Sequence, residues 1–211
     1  MSTAAPNGTG SRRLPVEIVT EQEVKALIRA CSPRAPTGVR NRALIATLYR
    51  SGVRISEALA LEPRDLDVRA GTLNIRHGKG DQQRTVGMDD DAFALLELWL
   101  ERRRKLGLAR RRYVFLTLHG SQLTASYTRH LWPRLALKAG LPADKRVHNH
   151  AFRHTHAYEL LAEGKRLDVI SGQLGHHSLA TTHRYLAHIA PHERVQAVRG
   201  RSAWLHSQLA L

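Results

Sequence analysis

One stretch of this chain departs from the periodicity that governs the rest. Between Leu66 and Met88 the pattern alternates, with Leu73 and Ile75 on one face, then a polar His77-Gly78-Lys79-Gly80-Asp81 segment, then Thr85 and Val86. Alternation interrupted by a Gly-rich tip predicts a small β-hairpin. Elsewhere apolar residues recur at helical spacing. The fold class that follows is mostly α with a small antiparallel β-sheet (α+β).

Local signals place the helices. Thr20 with Glu23 resembles a capping box opening a helix through Val24, Leu27 and Ile28, which ends before Pro33 and Pro36. A second helix carries Leu44, Ile45 and Leu48 and stops near Ser51-Gly52, so Arg54 falls in the turn that enters a short helix from Ser56 to Leu61. Asp89 is positioned to cap a long helix with Phe93, Leu96 and Leu100 inward, ending in the basic run Arg102 to Lys105. Further helices are expected at about 124–139, 148–163, 166–174, 179–188 and 192–208, broken at Gly140, Gly164, Gly175 and Pro191. Residues 1–14 are small, polar and aperiodic and read as a disordered tail, leaving 15–211 as one domain.

Bulk properties narrow the function. No apolar run approaches the roughly 18 residues that span a bilayer, and the N-terminus has no apolar segment of the kind a secretory signal needs. Cys31 is the sole cysteine, which excludes a disulfide framework and a Cys-cluster metal site. A cytoplasmic, nucleoid-associated protein is expected. Lys and Arg number 33 against 18 Asp and Glu, a net charge of +15 that predicts a polyanionic partner. A GC-rich genome favouring Arg codons is the alternative source of that excess. The run Arg102 to Lys105 and the run Arg110 to Arg112 could contact a DNA backbone or could equally be solvated ends.

The C-terminal third gathers the side chains of chemical interest. His150-Ala151-Phe152-Arg153-His154-Thr155 puts an imidazole and a guanidinium three residues apart on one helix face, where both can address the same phosphate. Leu174-Gly175-His176 follows, and Tyr185 lies nine residues beyond His176, about two turns into the next helix. Crowded histidines (His148, His150, His154, His156, His176, His177 and His183) raise the question of zinc. However, Arg153 sits inside the His150/His154 pair and no Glu follows His150, so no metal is expected. Gly78-Lys79-Gly80 lacks the following Ser or Thr of a P-loop, so an NTPase is rejected.

On these motifs the chain resembles the catalytic domain of the tyrosine recombinases, the phage integrase and Xer family. His-x-x-Arg with His-Thr, Leu-Gly-His and the tyrosine nine residues on all match. So does Gly52-Val53-Arg54-Ile55-Ser56-Glu57-Ala58-Leu59-Ala60-Leu61, as does Gly78-Lys79-Gly80 with Arg84 and Val86. The resemblance spans about residues 18–190. It implies Tyr185 as the nucleophile, Arg54 and Arg153 on the non-bridging phosphate oxygens, and His176 as a hydrogen-bond partner of the phosphate. It also implies Lys79 as proton donor to the departing 5′ oxygen and His150 as base or orienter. A 3′-phosphotyrosyl intermediate conserves the phosphodiester's energy, so neither cofactor nor metal is called for. The resemblance implies site-specific recombination on double-stranded DNA, with a homotetramer as a possible assembly. The alternatives are a DNA-binding accessory protein without strand exchange and a type IB topoisomerase-like relaxer.

Departures from the pattern have expected consequences. Gln82 stands where the family often has a second lysine, which removes one phosphate contact, and Phe152 replaces a leucine. About twenty residues precede the first helix, where members of the family commonly carry an N-terminal core-binding (clamp) domain of about a hundred, so the expectation is a fragment, a short enzyme whose clamp a partner protein supplies, or one acting on DNA held open by something else. Beyond Tyr185, the tail with Trp204, Leu205, Leu209 and Leu211 either packs on its own domain or docks on a neighbour. Arg153→Ala is expected to abolish cleavage and leave the fold intact.

Overall fold

The computed structural model describes residues 18–76, 83–176 and 178–189. The tail 1–14, the helix expected at 192–208 and the hairpin tip with Lys79 lie outside those residues. Helix α1 (Glu21–Ala30) opens on the expected capping box: Thr20 Oγ1 accepts from the Glu23 N–H at 3.3 Å, and the Glu23 carboxylate accepts from the Thr20 N–H at 2.7 Å. Helix α2 (Pro36–Ser51) begins with a proline in its first turn and ends on Gly52 in the left-handed region, φ 63°. Pro36 therefore starts the second helix as well as following the first.

Helix α2 corrects the expectation of a single apolar stripe. It is buried almost all round, polar residues included, because α1, α4 and α6 all pack on it. Each buried polar group then needs an internal partner. Thr47 Oγ1 donates to the Ala43 carbonyl at 2.9 Å and Ser51 Oγ to the Thr47 carbonyl at 2.6 Å. The Arg40 guanidinium donates to the Leu116 carbonyl at 2.8 Å, to the Tyr127 hydroxyl at 2.5 Å and to Asn41 Oδ1. It does so without a carboxylate among its partners in the described residues, and burial holds its pKa below the usual arginine value.

Helix α3 (Ile55–Ala60) follows, then a 3₁₀ turn at Pro63–Asp65. The sheet has three antiparallel strands in the order β1 (Leu66–Asp67), β2 (Thr72–Ile75), β3 (Arg84–Gly87). Leu73 pairs with Val86, both buried, as the alternation predicts. The two-residue β1 was not foreseen, being too short to alternate. Asp89 caps α4 (Asp90–Lys105), accepting from the Ala92 N–H at 2.8 Å, and Phe93, Leu96 and Trp99 point into the core.

At the end of α4 the basic run divides, with Arg103 turned inward and Arg104 and Lys105 left exposed. Arg103 is buried and donates to the carbonyls of Ala109 and Arg111, which fixes the loop after the helix. Arg102 reaches the Arg34 carbonyl at 3.0 Å, while Arg104 and Lys105 pair with Glu101. Helices α5 (Ala125–Lys138), α6 (Asn149–Ala162), α7 (Leu167–Leu174) and α8 (Leu179–Ile189) complete the described chain. Gly140, Gly164 and Gly175 break them with positive φ. A main core joins α1 to α6, and a smaller cluster of Ala157, Ile170, Leu174 and Leu186 joins α6, α7 and α8. Tyr185 packs on that smaller cluster. No described helix is long and apolar enough to cross a membrane.

Candidate active site

Arg54 owes its place to the turn before it. Gly52 closes α2 in the left-handed region, Val53 is buried, and Arg54 becomes the residue that caps α3. Glu57, buried one turn on, accepts from the Arg54 N–H and from its Nη1, each at 2.8 Å. It also accepts from Arg84 Nη1 at 3.1 Å and Nη2 at 2.9 Å. Burial opposes ionisation of Glu57, but hydrogen bonds from Arg84 and the Arg54 amide outweigh it and hold the carboxyl below its usual range. One carboxylate thus aligns two guanidinium groups, and Arg54 keeps about a quarter of its side chain (26%) open to an incoming ligand.

Arg153 comes from α6 and is only 4% exposed. Its Nη1 donates to the Gly52 carbonyl at 2.7 Å, its Nη2 to the Leu174 carbonyl at 2.6 Å, and Nη2 lies 3.3 Å from His176 Nε2. Burial, and then the positive charge of Arg54, pull its pKa down to about 10, which still leaves it charged at neutral pH. Glu57 bonds Arg54 and Arg84 and acts on Arg153 through its charge alone, so three guanidinium groups share a single carboxylate and leave an excess of two positive charges in the cleft. Such an excess fits a dianionic transition state.

His176 follows Gly175, the left-handed end of α7. Its Nδ1 lies 3.0 Å from Thr182 Oγ1 on α8. With Arg153 donating at Nε2, the network assigns the ring proton to Nδ1. The Tyr185 ring stands between two imidazoles: His176 meets it edge-on with centroids 5.2 Å apart, and His154 meets it at 5.2 Å with planes tilted 31°. The phenol is buried and has no well-aligned hydrogen-bond partner among the described residues. Burial pushes its pKa up to about 12, while the charge and hydrogen bonding of Arg153, and then the charge of Arg54, pull the other way.

Four of the six sequence-predicted residues therefore converge: Arg54, Arg153, His176 and Tyr185. His150 lies one turn from His154, with ring centroids 6.3 Å apart, and His154 in turn packs against Tyr185. His150 has its pKa lowered by burial and by the charges of His148, Arg153 and Arg54, which keeps it neutral at pH 7. Lys79 lies outside the described residues. Its flanking strands are paired through Ile75 and Arg84.

Two contributors escaped the sequence reading. His154, read as a letter of the His-Thr motif and as half of a zinc-like spacing, is an imidazole packed against Tyr185; its i,i+4 relation to His150 was the available signal. Glu57 was visible only as a motif letter, since its partner Arg84 lies in another element. Among the described residues, no three His, Cys, Asp or Glu side chains come together as metal ligands would.

Gly52 links fold to site, because its φ of 63° disfavours any side chain and a Cβ there would lie 2.4 Å from the ring of buried His156. Gly52→Ala is expected to cost about 2–4 kcal/mol, from left-handed strain plus overpacking, and to shift the carbonyl that receives Arg153. A urea midpoint unchanged from wild type would contradict this.

The phage integrase family profile matches residues 17–192. Tyrosine recombinase XerD of Vibrio cholerae is 33% identical over 180 residues, which are 84% of this chain and 58% of that protein. The chain thus spans less than three fifths of that curated relative. Among solved structures, XerA recombinase superposes with a TM-score of 0.77 at 30% identity, covering 90% of this chain and 67% of that one. XerH site-specific recombinase, in a post-cleavage complex with its palindromic difH substrate, gives a TM-score of 0.71 at 26% identity, covering 88% of this chain and 53% of that one.

Proposed function

The chain belongs to the phage integrase family, and from that premise we propose that it is a site-specific DNA recombinase that breaks and rejoins strands through a 3′-phosphotyrosyl link to Tyr185. The observation that carries the proposal is the meeting of Arg54, Arg153 and His176 beside the Tyr185 ring, in a cleft with excess positive charge. Arg54 and Arg153 bind the non-bridging oxygens of the scissile phosphate and stabilise the charge that builds up in the pentacoordinate transition state. Once Arg153 turns from His176 Nε2 to the phosphate, His176 donates a hydrogen bond to the same phosphate through a proton carried on Nε2, while Nδ1 stays against Thr182. His150, kept neutral by its surroundings, accepts the phenol proton.

Lys79 then protonates the leaving 5′ oxygen. The bond formed is Tyr185 Oη to phosphorus and the bond broken is phosphorus to the 5′ oxygen. Reversal by another strand's 5′ hydroxyl releases Tyr185 and needs no external energy. On this reading the partner is double-stranded DNA, met in the cytoplasm at the nucleoid, and strand exchange proceeds in a homotetramer on that DNA.

The deciding experiment incubates the protein with nicked suicide duplexes, which lose the 5′ end needed for religation, in the presence of a chelator. A DNA adduct that survives denaturation and is absent from Tyr185→Phe is the expected result. Binding without any adduct on permissive duplexes would favour an accessory protein. Relaxation of supercoiled DNA without exchange between duplexes would favour a topoisomerase-like role.

A further inference from the structure

Among the described residues strand β3 is an edge strand, so the backbone groups on its outer side have no described strand to pair with. At Gly87 that gap is filled by one side chain from α7. The Gly87 N–H donates to Gln173 Oε1 at 3.0 Å, and Gln173 Nε2 donates back to the Gly87 carbonyl at 2.7 Å. An amide that both accepts from and donates to the same residue reproduces the two-bond pairing of an antiparallel strand. The same Nε2 donates to the Ser51 carbonyl at 3.0 Å, in the last turn of α2.

Around this residue three cross-links close on one another. Arg84, from β3, grips Glu57 with two bonds and touches the Gln173 carbonyl at 3.5 Å, its guanidinium lying so close to Gly175 that a Cβ there would be 2.7 Å away. Arg153 joins the Gly52 carbonyl to the Leu174 carbonyl. Gln173 joins Ser51, one residue before Gly52, to Gly87 on the sheet. The first two cross-links are themselves part of the charged cleft. Gln173 is the uncharged one, with its amide turned to backbone groups.

We propose that Gln173 is a positioning residue, which sets the gap between the Arg54 side and the Arg153–His176 side of the cleft by tying α7 to the sheet edge and to the end of α2. The proposal rests on the strand-cleavage reading above. Without the clip, the polar links of α7 to β3 and α2 among the described residues reduce to Arg84, which also holds Glu57, and Arg153, which must also take up phosphate. The site then loses the spacing that lets Arg54 and Arg153 bind one phosphate together. Misplacement of about 1 Å in such a constellation can slow reaction about a hundredfold without removing any ligand of the substrate.

The test compares wild type with Gln173→Met, of similar length but unable to make these bonds, and with Gln173→Glu, which keeps the acceptor for the Gly87 N–H and loses both donated bonds. Single-turnover adduct formation on a nicked suicide duplex is measured beside DNA Kd and hydrogen exchange at the Gly87 amide. Gln173→Met is expected to form adduct about 10- to 100-fold more slowly, with Kd within about twofold of wild type and faster Gly87 exchange. Gln173→Glu, the variant to rely on should the methionine protein not fold, should lie between the two. Adduct formation within about twofold of wild type in both variants would overturn the proposal, as would rate and affinity falling in parallel. A wild type that forms no adduct counts against the strand-cleavage reading; unchanged Gly87 exchange then overturns the clip, and faster exchange supports it.

Discussion

Tyr185→Phe is expected to remove the covalent DNA adduct, lowering strand cleavage by about a thousandfold or more, while the folded protein stays as stable as wild type at neutral pH. The stability half follows from the geometry of the phenol. Its oxygen is buried, and the group that interacts with it, the Arg153 guanidinium, keeps its bonds to the Gly52 and Leu174 carbonyls when the hydroxyl is gone, so the weak bond lost and the desolvation relieved roughly offset. The ring, held between His154 and His176, is retained by phenylalanine. A variant that unfolded would show that the hydroxyl has a structural partner; an adduct undiminished by the change would remove Tyr185 from the chemistry.

The same substitution has a consequence at high pH, where the sign can be worked out. Burial raises the Tyr185 pKa to about 12 in the folded protein, against about 10 in an unfolded chain. A raised folded-state pKa contributes stability that is fully present below about pH 10 and is lost as pH climbs towards 12. Phenylalanine has no such dependence. The stability difference between the two proteins should therefore be flat below about pH 9.5, then move against the wild type by at most about 3 kcal/mol. Urea unfolding of both proteins at pH 8 and pH 11 measures it.

How far the sequence discloses this molecule depends on the range of each determinant. Helix boundaries were legible because caps and breaks are local: Thr20 with Glu23, Asp89, and Gly140, Gly164 and Gly175 act within a turn of their own position. Pairing of β2 with β3 was legible from alternation alone. Side chains whose meaning depends on distant partners were not. Arg103 looks like any helix-end cation until the carbonyls of Ala109 and Arg111 fold back on it. The all-round burial of α2 depends on how many elements choose to pack against it, which its own residues do not record. Glu57 and His154 were in plain view within motifs, but their roles needed Arg84 and Tyr185 brought from elsewhere in the chain.

Arg153→Ala shows where motif reading misleads about consequence. Read as a phosphate ligand on a helix face, the arginine should be removable with the fold intact. In the structure it is also a strut, buried and bonded to the carbonyls of Gly52 and Leu174 at 2.7 and 2.6 Å. Truncation leaves both acceptors without their donor in a site that water reaches poorly, an expected loss of about 2–4 kcal/mol. Cleavage should fall about a thousandfold on top of that. The two losses separate when cleavage is measured well below the variant's own unfolding transition. Arg54→Ala is the cleaner comparison, because Glu57 keeps both of its bonds from Arg84 when Arg54 is gone. Cleavage lost in both variants, with unfolding shifted mainly in Arg153→Ala, is the expected pattern. Equal unfolding midpoints would mean that the Gly52 and Leu174 carbonyls find other donors, and that Arg153 is held in the cleft for the phosphate alone.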